Sequence, residues 1–450
     1  MNKKILTLAL GLIASWPAFS QTAEPVAKLS LAEALKFAIS NNEIIKKALL
    51  DQKSAEYKIK ETKGSGLPQL AANGTLTAFP ALATQLLPGE LAGQPGTLIP
   101  VQFGTKYNAQ GGLELNQLIF RKSFFVGLQA ANTTRDLYQL RTQMSEEEVI
   151  YNVSSAYLQL LQTKQQFNTI DANFNRLVQL EKILTLQYKN DVATKVQVNR
   201  VTVNKINLEN QRQTLVANYE QQQNALKFFM GLPIDQKLEV VDSTTVINTE
   251  IPASPDAAAI LATRLDYKLL NVQKNLYKLN VKNIQSGYYP SISGFGAVNT
   301  SAQRNEFNFF DGTQPWFKAV NLGVRLSVPI FDGFQRKNQM RQAQIEVEKV
   351  DQDISRLTRN TQLALSNAVT QIQTSLRSIE AQERNVRLAQ DVYKNTNELY
   401  KEGLSPLTEL LETEVALREA QTNLNNERLK YQLAQLTYLQ AKGELKTLIK

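Results

Sequence analysis

The sequence predicts a mainly α-helical chain with a membrane β-barrel portion, built as a duplicated repeat of helix, β-hairpin and long helical hairpin. Three observations carry this expectation. Leu128–Met230, Phe334–Glu402 and Leu407–Lys442 contain neither glycine nor proline. Apolar residues recur at steps of seven through these stretches, the spacing of helices that wind against partners over a long distance. Before each long helical region stand two short segments of alternating polarity around a loop, which gives four strands per chain.

The first 20 residues are expected to be a secretory signal. Lys3 and Lys4 precede an apolar run from Ile5 to Trp16, and Ala18-Phe19-Ser20 supplies small residues where a signal peptidase reads. No later stretch reaches the roughly 18 consecutive apolar residues of a membrane-spanning helix. A chain that enters a membrane without such a helix must do so as a closed β-barrel, because lipid offers no hydrogen-bond partner to an open backbone.

The remainder repeats once. A first repeat covers 21–233, a linking segment 234–255 and a second repeat 256–450. Leu31–Lys63 reads as an amphipathic helix that stops at Gly64-Ser65-Gly66-Leu67-Pro68, and Ala257–Gln285 as another that stops at Ser286-Gly287-Tyr288-Tyr289-Pro290. Helical hairpins follow at about 121–230 and 334–442. An unbroken helix over Phe334–Glu402 is ~100 Å long at 1.5 Å per residue. Leu365, Ile372, Ile379, Val386, Tyr393 and Tyr400 step by seven there, with small Ala368, Ser375 and Ala389 at the partner position. Val153, Leu160, Phe167, Phe174, Glu181 and Tyr188 do the same in the first half, and Leu410, Leu417, Leu424, Tyr431 and Tyr438 on the return helix. A long soluble coiled coil has these features too.

The strands discriminate. They are expected at about 69–80, 105–120, 291–302 and 317–331. Tyr107, Ala109, Gly111, Leu113 and Leu115 alternate with Asn108, Gln110, Glu114 and Asn116; Leu322, Val324, Leu326 and Val328 alternate with Gly323, Arg325 and Ser327. Ser291–Ala302 alternates poorly and is assigned by symmetry. Phe79, Phe103, Phe309, Phe310, Trp316 and Phe317 collect near the hairpin ends, like an interfacial girdle. Four strands cannot close a barrel, since the smallest use ~8, so a membrane reading demands several chains. A half-buried soluble sheet is the alternative.

Composition narrows the chemistry. Cysteine and histidine are absent, which removes thiolate nucleophiles, the commonest general base and the commonest metal ligand. No phosphate-binding glycine loop or G-x-S-x-G turn occurs. No enzyme, cofactor or metal is expected. The net charge is +9, but Lys and Arg are dispersed, so the expectation is a solvated basic surface and no nucleic acid.

Several motifs then follow in order, twice over. Leu29-Ser30-Leu31-Ala32-Glu33-Ala34-Leu35 with Asn41-Asn42-Glu43 opens the first repeat, and Arg264-Leu265-Asp266 sits at the equivalent place in the second. Phe229-Met230-Gly231-Leu232-Pro233 closes the first, and Val328-Pro329-Ile330-Phe331-Asp332-Gly333-Phe334 joins strand to helix in the second. Over nearly all of the mature chain this pattern resembles the TolC-like outer-membrane factor family. The resemblance implies a homotrimer sharing a 12-stranded barrel in outer-membrane lipid above a long α-helical periplasmic tube. It implies an exit duct of a tripartite efflux pump or type I secretion system, passively conducting substrate and joined by a periplasmic adaptor (membrane fusion) protein to an inner-membrane transporter.

The resemblance also assigns the helical breaks. Tyr400-Lys401-Glu402-Gly403-Leu404-Ser405-Pro406 is similar to the family's periplasmic hairpin tip, and Tyr188-Lys189-Asn190-Asp191-Val192-Ala193-Thr194 is its counterpart, with Asp191 where glycine is usual. Asp191, Val192, Ala193 and Thr194, with Gly403, Leu404, Ser405 and Pro406, are the implied adaptor-docking tips. Tyr400, Glu409 and Glu412 match residues of the family's periplasmic aperture, where carboxylate rings attract cations. The family commonly places a basic partner where this chain has Ser405, so that latch is incomplete. Glu409 and Glu412 also read as two solvated carboxylates, or as a hydrolase pair without a pocket signature. The competing whole-chain reading is a soluble periplasmic coiled-coil, adaptor-like interaction protein, but that design has one helical hairpin and this chain has two.

Overall fold

The computed structural model describes residues 27–93, 95–241 and 257–449. The expected signal segment lies outside the described residues, as do 242–255 of the linking segment and residue 256 of the second repeat. In chain order the elements are β1 (Ala27–Leu29), α1 (Leu31–Asn41), α2 (Glu43–Gly64), β2 (Gln69–Ala78), β3 (Thr84–Pro88), β4 (Leu98–Gln102), β5 (Tyr107–Arg121), α3 (Lys122–Lys189) and α4 (Lys195–Met230). There follow β6 (Leu238–Val240), α5 (Ala257–Thr263), α6 (Leu265–Ser286), β7 (Ser291–Arg304), β8 (Phe317–Ser327), α7 (Gln335–Lys401) and α8 (Leu407–Lys442). The two long helices run 68 and 67 residues. The chain divides into two compact units, one of 1–46, 146–255 and 363–450, the other of 47–145 and 256–362.

The first unit is a helical bundle with two apolar clusters. One gathers Leu35, Ile150, Val153, Leu160, Leu226, Met230 and Leu436 against a short parallel pair of β1 and β6. Tyr157 is buried there, its hydroxyl 2.7 Å from the Val241 carbonyl. Ser30 caps α1 through a reciprocal bond with Glu33, which satisfies two N-terminal amides. The seven-residue steps are seams: Leu365, Ala368, Ile372 and Ser375 are buried along α7, and Leu410, Leu417, Leu424 and Tyr438 along α8. Glu181, a charge in an apolar register, is matched by Lys205 at 2.6 Å and the Thr202 hydroxyl at 2.8 Å.

The second unit holds an antiparallel sheet of order β2-β5-β7-β8. Register pairs Leu70 with Leu115, Leu115 with Gly296 and Gly296 with Leu322. Side chains paired in register share a face. One face therefore carries Leu70, Leu76, Leu113, Leu115, Val298, Val320, Leu322 and Val324, all exposed. The opposite face carries Asn73, Asn108, Gln110, Glu114, Asn116, Asn299 and Arg325. β2 and β8 are edges without a partner strand among the described residues.

Several expectations need correction. The two repeat-opening helices are each broken in two. Asn42 takes an extended ψ of 135°, accepts from the Ile44 amide at 2.8 Å and donates to the Phe229 carbonyl at 2.7 Å. Such side-chain bonds compete with the helix. Arg264 has ψ 139° and binds Asp266 at 2.5 Å. The strand expected over 317–331 stops at Ser327, two residues before Pro329, which has no amide to donate. Ala81–Gly104, read as a loop, contains the β3–β4 hairpin. β7, the weakest alternator, is long and central because both its edges are paired.

Candidate functional site: the helical tips and the buried cluster behind them

The two breaks fold alike. After α3, Asp191 has φ 56°, and after α7, Gly403 has φ 76°; both are left-handed. The Val192 amide donates back to the Gln187 carbonyl at 2.8 Å, and the Leu404 amide to the Leu399 carbonyl at 2.8 Å. These bonds satisfy end carbonyls in the manner of a Schellman cap. A Cβ on Gly403 would meet nothing within 4 Å, so only its φ constrains the residue there. Asp is among the few residues that visit this region, which explains its use at the first tip.

The two turns also present the same surface. Val192 is 75% exposed and Leu404 72%, the most exposed apolar residues of their turns. Ala193 and Ser405, next in sequence, are buried. Thr194 caps α4 in a reciprocal box with Gln197, and Pro406 precedes α8 in extended geometry. Both tips rest on one apolar cluster of Leu177, Leu184, Val201, Leu208, Leu407 and Leu410, with Tyr400 packed against it. Burial pushes the Tyr400 phenol up.

The aperture candidates do not act as one pair. The Ser405 hydroxyl donates to Glu409 at 2.6 Å, so the position without a basic partner holds Glu409 within the chain. Glu412 instead lines an open groove of about 500 Å³ with Val196, Arg200, Val203 and Leu411. Glu409 and Glu412 are both solvent-exposed.

A buried polar cluster escaped the sequence reading. Glu414 is 7% exposed, and one of its carboxylate oxygens has no hydrogen bond. Desolvation raises its pKa to about 7, opposed by the charges of Arg176 and Arg418. The Arg176 guanidinium lies over the Tyr393 ring, 5.3 Å from its centroid, and also binds Asn173. The signal was present: Leu407, Glu414, Gln421, Arg428 and Gln435 step by seven beside the traced apolar register. Among the described residues no group of acidic side chains could hold a metal, and no helix is long and apolar enough to cross a membrane.

The fold and sequence have known counterparts. The family model of the outer membrane efflux protein matches residues 260–444. Outer membrane protein TolC of Escherichia coli (strain K12) is 23% identical over 464 residues, covering 98% of this chain and 87% of that relative. The solved structure of CusC superposes with a TM-score of 0.73 at 16% identity, over 93% of this chain and 92% of that one. The outer membrane protein VceC of Vibrio cholerae gives 0.69 at 16% identity, over 92% and 96%. Residues 260–444 thus match the outer membrane efflux protein family, the chain is similar to TolC-like channels over nearly its whole length, and it is an outer-membrane exit duct with a periplasmic part.

Proposed function

We propose that three copies of this chain close one barrel and conduct substrate passively through it, without covalent chemistry. The observation that carries the reading is the open four-stranded sheet. Among the described residues it has an exposed apolar face and two unpaired edges, β2 and β8. An unsatisfied backbone group in lipid costs several kcal/mol, so such edges must be met by other copies. The soluble, adaptor-like reading leaves that apolar face in water and is set aside. The tips around Val192 and Leu404 receive the helical hairpins of a periplasmic adaptor, which couples the duct to an inner-membrane transporter in an efflux pump or a type I secretion system. Tyr400, Glu409 and Glu412 line the periplasmic aperture. The absence of His and Cys from the chain supports a non-enzymatic role.

The native mass of the detergent-extracted protein tests this reading. A trimer is expected. A soluble monomer or dimer recovered from the periplasm overturns it.

A further inference from the structure

Where the apolar face of the sheet ends, a basic cleft begins. The last apolar row is Phe120, Ile292 and Leu326, paired in register across β5, β7 and β8. The Phe120 ring touches Phe125 of α3 at a centroid distance of 6.2 Å. Phe125 in turn lines a cavity of about 330 Å³ between the start of α3 and the end of α6. Lys122, Lys282, Gln129, Gln285 and Tyr289 complete its chemistry, and no carboxylate among the described residues lines it.

The cleft is electrostatically one-sided. Neither Lys122 nor Lys282 makes an ion pair among the described residues, and Lys122 lies over the Tyr289 ring, 5.9 Å from its centroid. α3 has no acidic residue in its first turn, although its N-terminus carries the positive end of a 68-residue helix. Cations at that end are unfavourable unless an anion joins them. The cavity volume falls within the range of small-ligand sites, ~300–1,000 Å³. Amide donors from Gln129 and Gln285 suit the uncharged oxygens of the same ligand.

We propose that this cleft binds the phosphate of a glycerophospholipid whose acyl chains lie along the apolar face of β5 and β7. The shared chemistry is a phosphate anion; the continuity of the cleft with the apolar row selects the lipid over a free ion. The inference rests on the sheet facing outer-membrane lipid. Each lysine near a phosphate surface contributes ~1 kcal/mol, so removing both charges weakens binding roughly 30-fold.

Native mass spectrometry of the full chain in neutral maltoside micelles tests this, with dioleoyl phosphatidylglycerol as probe. The expected result is saturable lipid retention that needs roughly 30-fold more lipid in the Lys122→Gln/Lys282→Gln variant, with Lys122→Arg/Lys282→Arg close to the parent. Lys394→Gln/Lys401→Gln, which removes two charges from the end of α7, is expected to bind like the parent. Equal retention of dioleoylglycerol, which has the chains without phosphate, overturns the proposal. So does equal weakening by both glutamine pairs, or complete displacement by inorganic phosphate. The same spectra report the oligomer, so loss of the shared barrel is distinguished from loss of the lipid.

Discussion

A carboxylate buried with an oxygen unbonded favours its neutral form, and Glu414 holds such a place in α8. The groups facing it are Arg176 from α3, Tyr393 from α7 and Arg418 from its own helix. Its pKa of about 7 stands above the ordinary 4.5, and desolvation is the main cause. For an acid raised in the folded state, the stabilising contribution is complete below the unfolded value and is lost as pH rises through the folded one. The helical bundle is therefore expected to lose roughly 3 kcal/mol between about pH 4.5 and pH 7 from this group. Glu414→Gln keeps the shape and removes the charge. Its melting temperature should exceed the parent's at pH 8, with the gap closing by pH 5. An equal displacement at both pH values would show that the packing, and not the charge, decides.

At the scale of the element, each tip is a left-handed turn that exposes one aliphatic side chain beyond a buried small residue. Val192 and Leu404 contribute little to their own fold because most of each side chain is in water. Val192→Ser with Leu404→Ser should leave the melting temperature unchanged and weaken capture of a purified adaptor about tenfold, the effect of losing ~1–2 kcal/mol at an interface anchor. Unaltered capture would remove the tips from the docking surface. Elements with strong periodicity were legible in the sequence: the heptads that predicted α3, α7 and α8 are buried seams at Val153 and Leu160, at Leu365 and Ile372, and at Leu410, Leu417 and Leu424, and half-buried over much of the rest. Both turns were legible too, since Gly403 and Asp191 tolerate positive φ. What escaped has a local physical reason. The breaks at Asn42 and Arg264 are made by side-chain bonds that apolar spacing does not reveal. The parallel pair of β1 and β6 joins segments distant in sequence, three residues each. β7 owes its length to pairing on both edges, which overrides its poor alternation. Glu414 lies in the register beside the apolar one, where polar residues at steps of seven carry no hydrophobic periodicity to mark it as buried.

For the whole molecule, the decisive fact is that the described residues leave the sheet open and its apolar face uncovered, which supports the proposal that function belongs to an assembly. In a closed ring every residue at the tips recurs around one axis. Weak single-chain charges then combine, because carboxylates held close in a narrow pore attract cations and repel anions together. Glu409 and Glu412 differ in their readiness for this. Glu409 spends part of its acceptor capacity on Ser405 at 2.6 Å, whereas Glu412 lies in the open groove beside Arg200. Replacing both by Gln should lower the cation selectivity of the channel, read as the reversal potential across a planar bilayer under a potassium chloride gradient. Glu412→Gln alone should account for the larger share. Screening makes the difference largest at low salt, where the Debye length is ~30 Å at 0.01 M, and smallest near 1 M, where it is ~3 Å. A reversal potential unchanged in the double variant at low salt would place these carboxylates on a solvated outer face of α8 instead of the aperture.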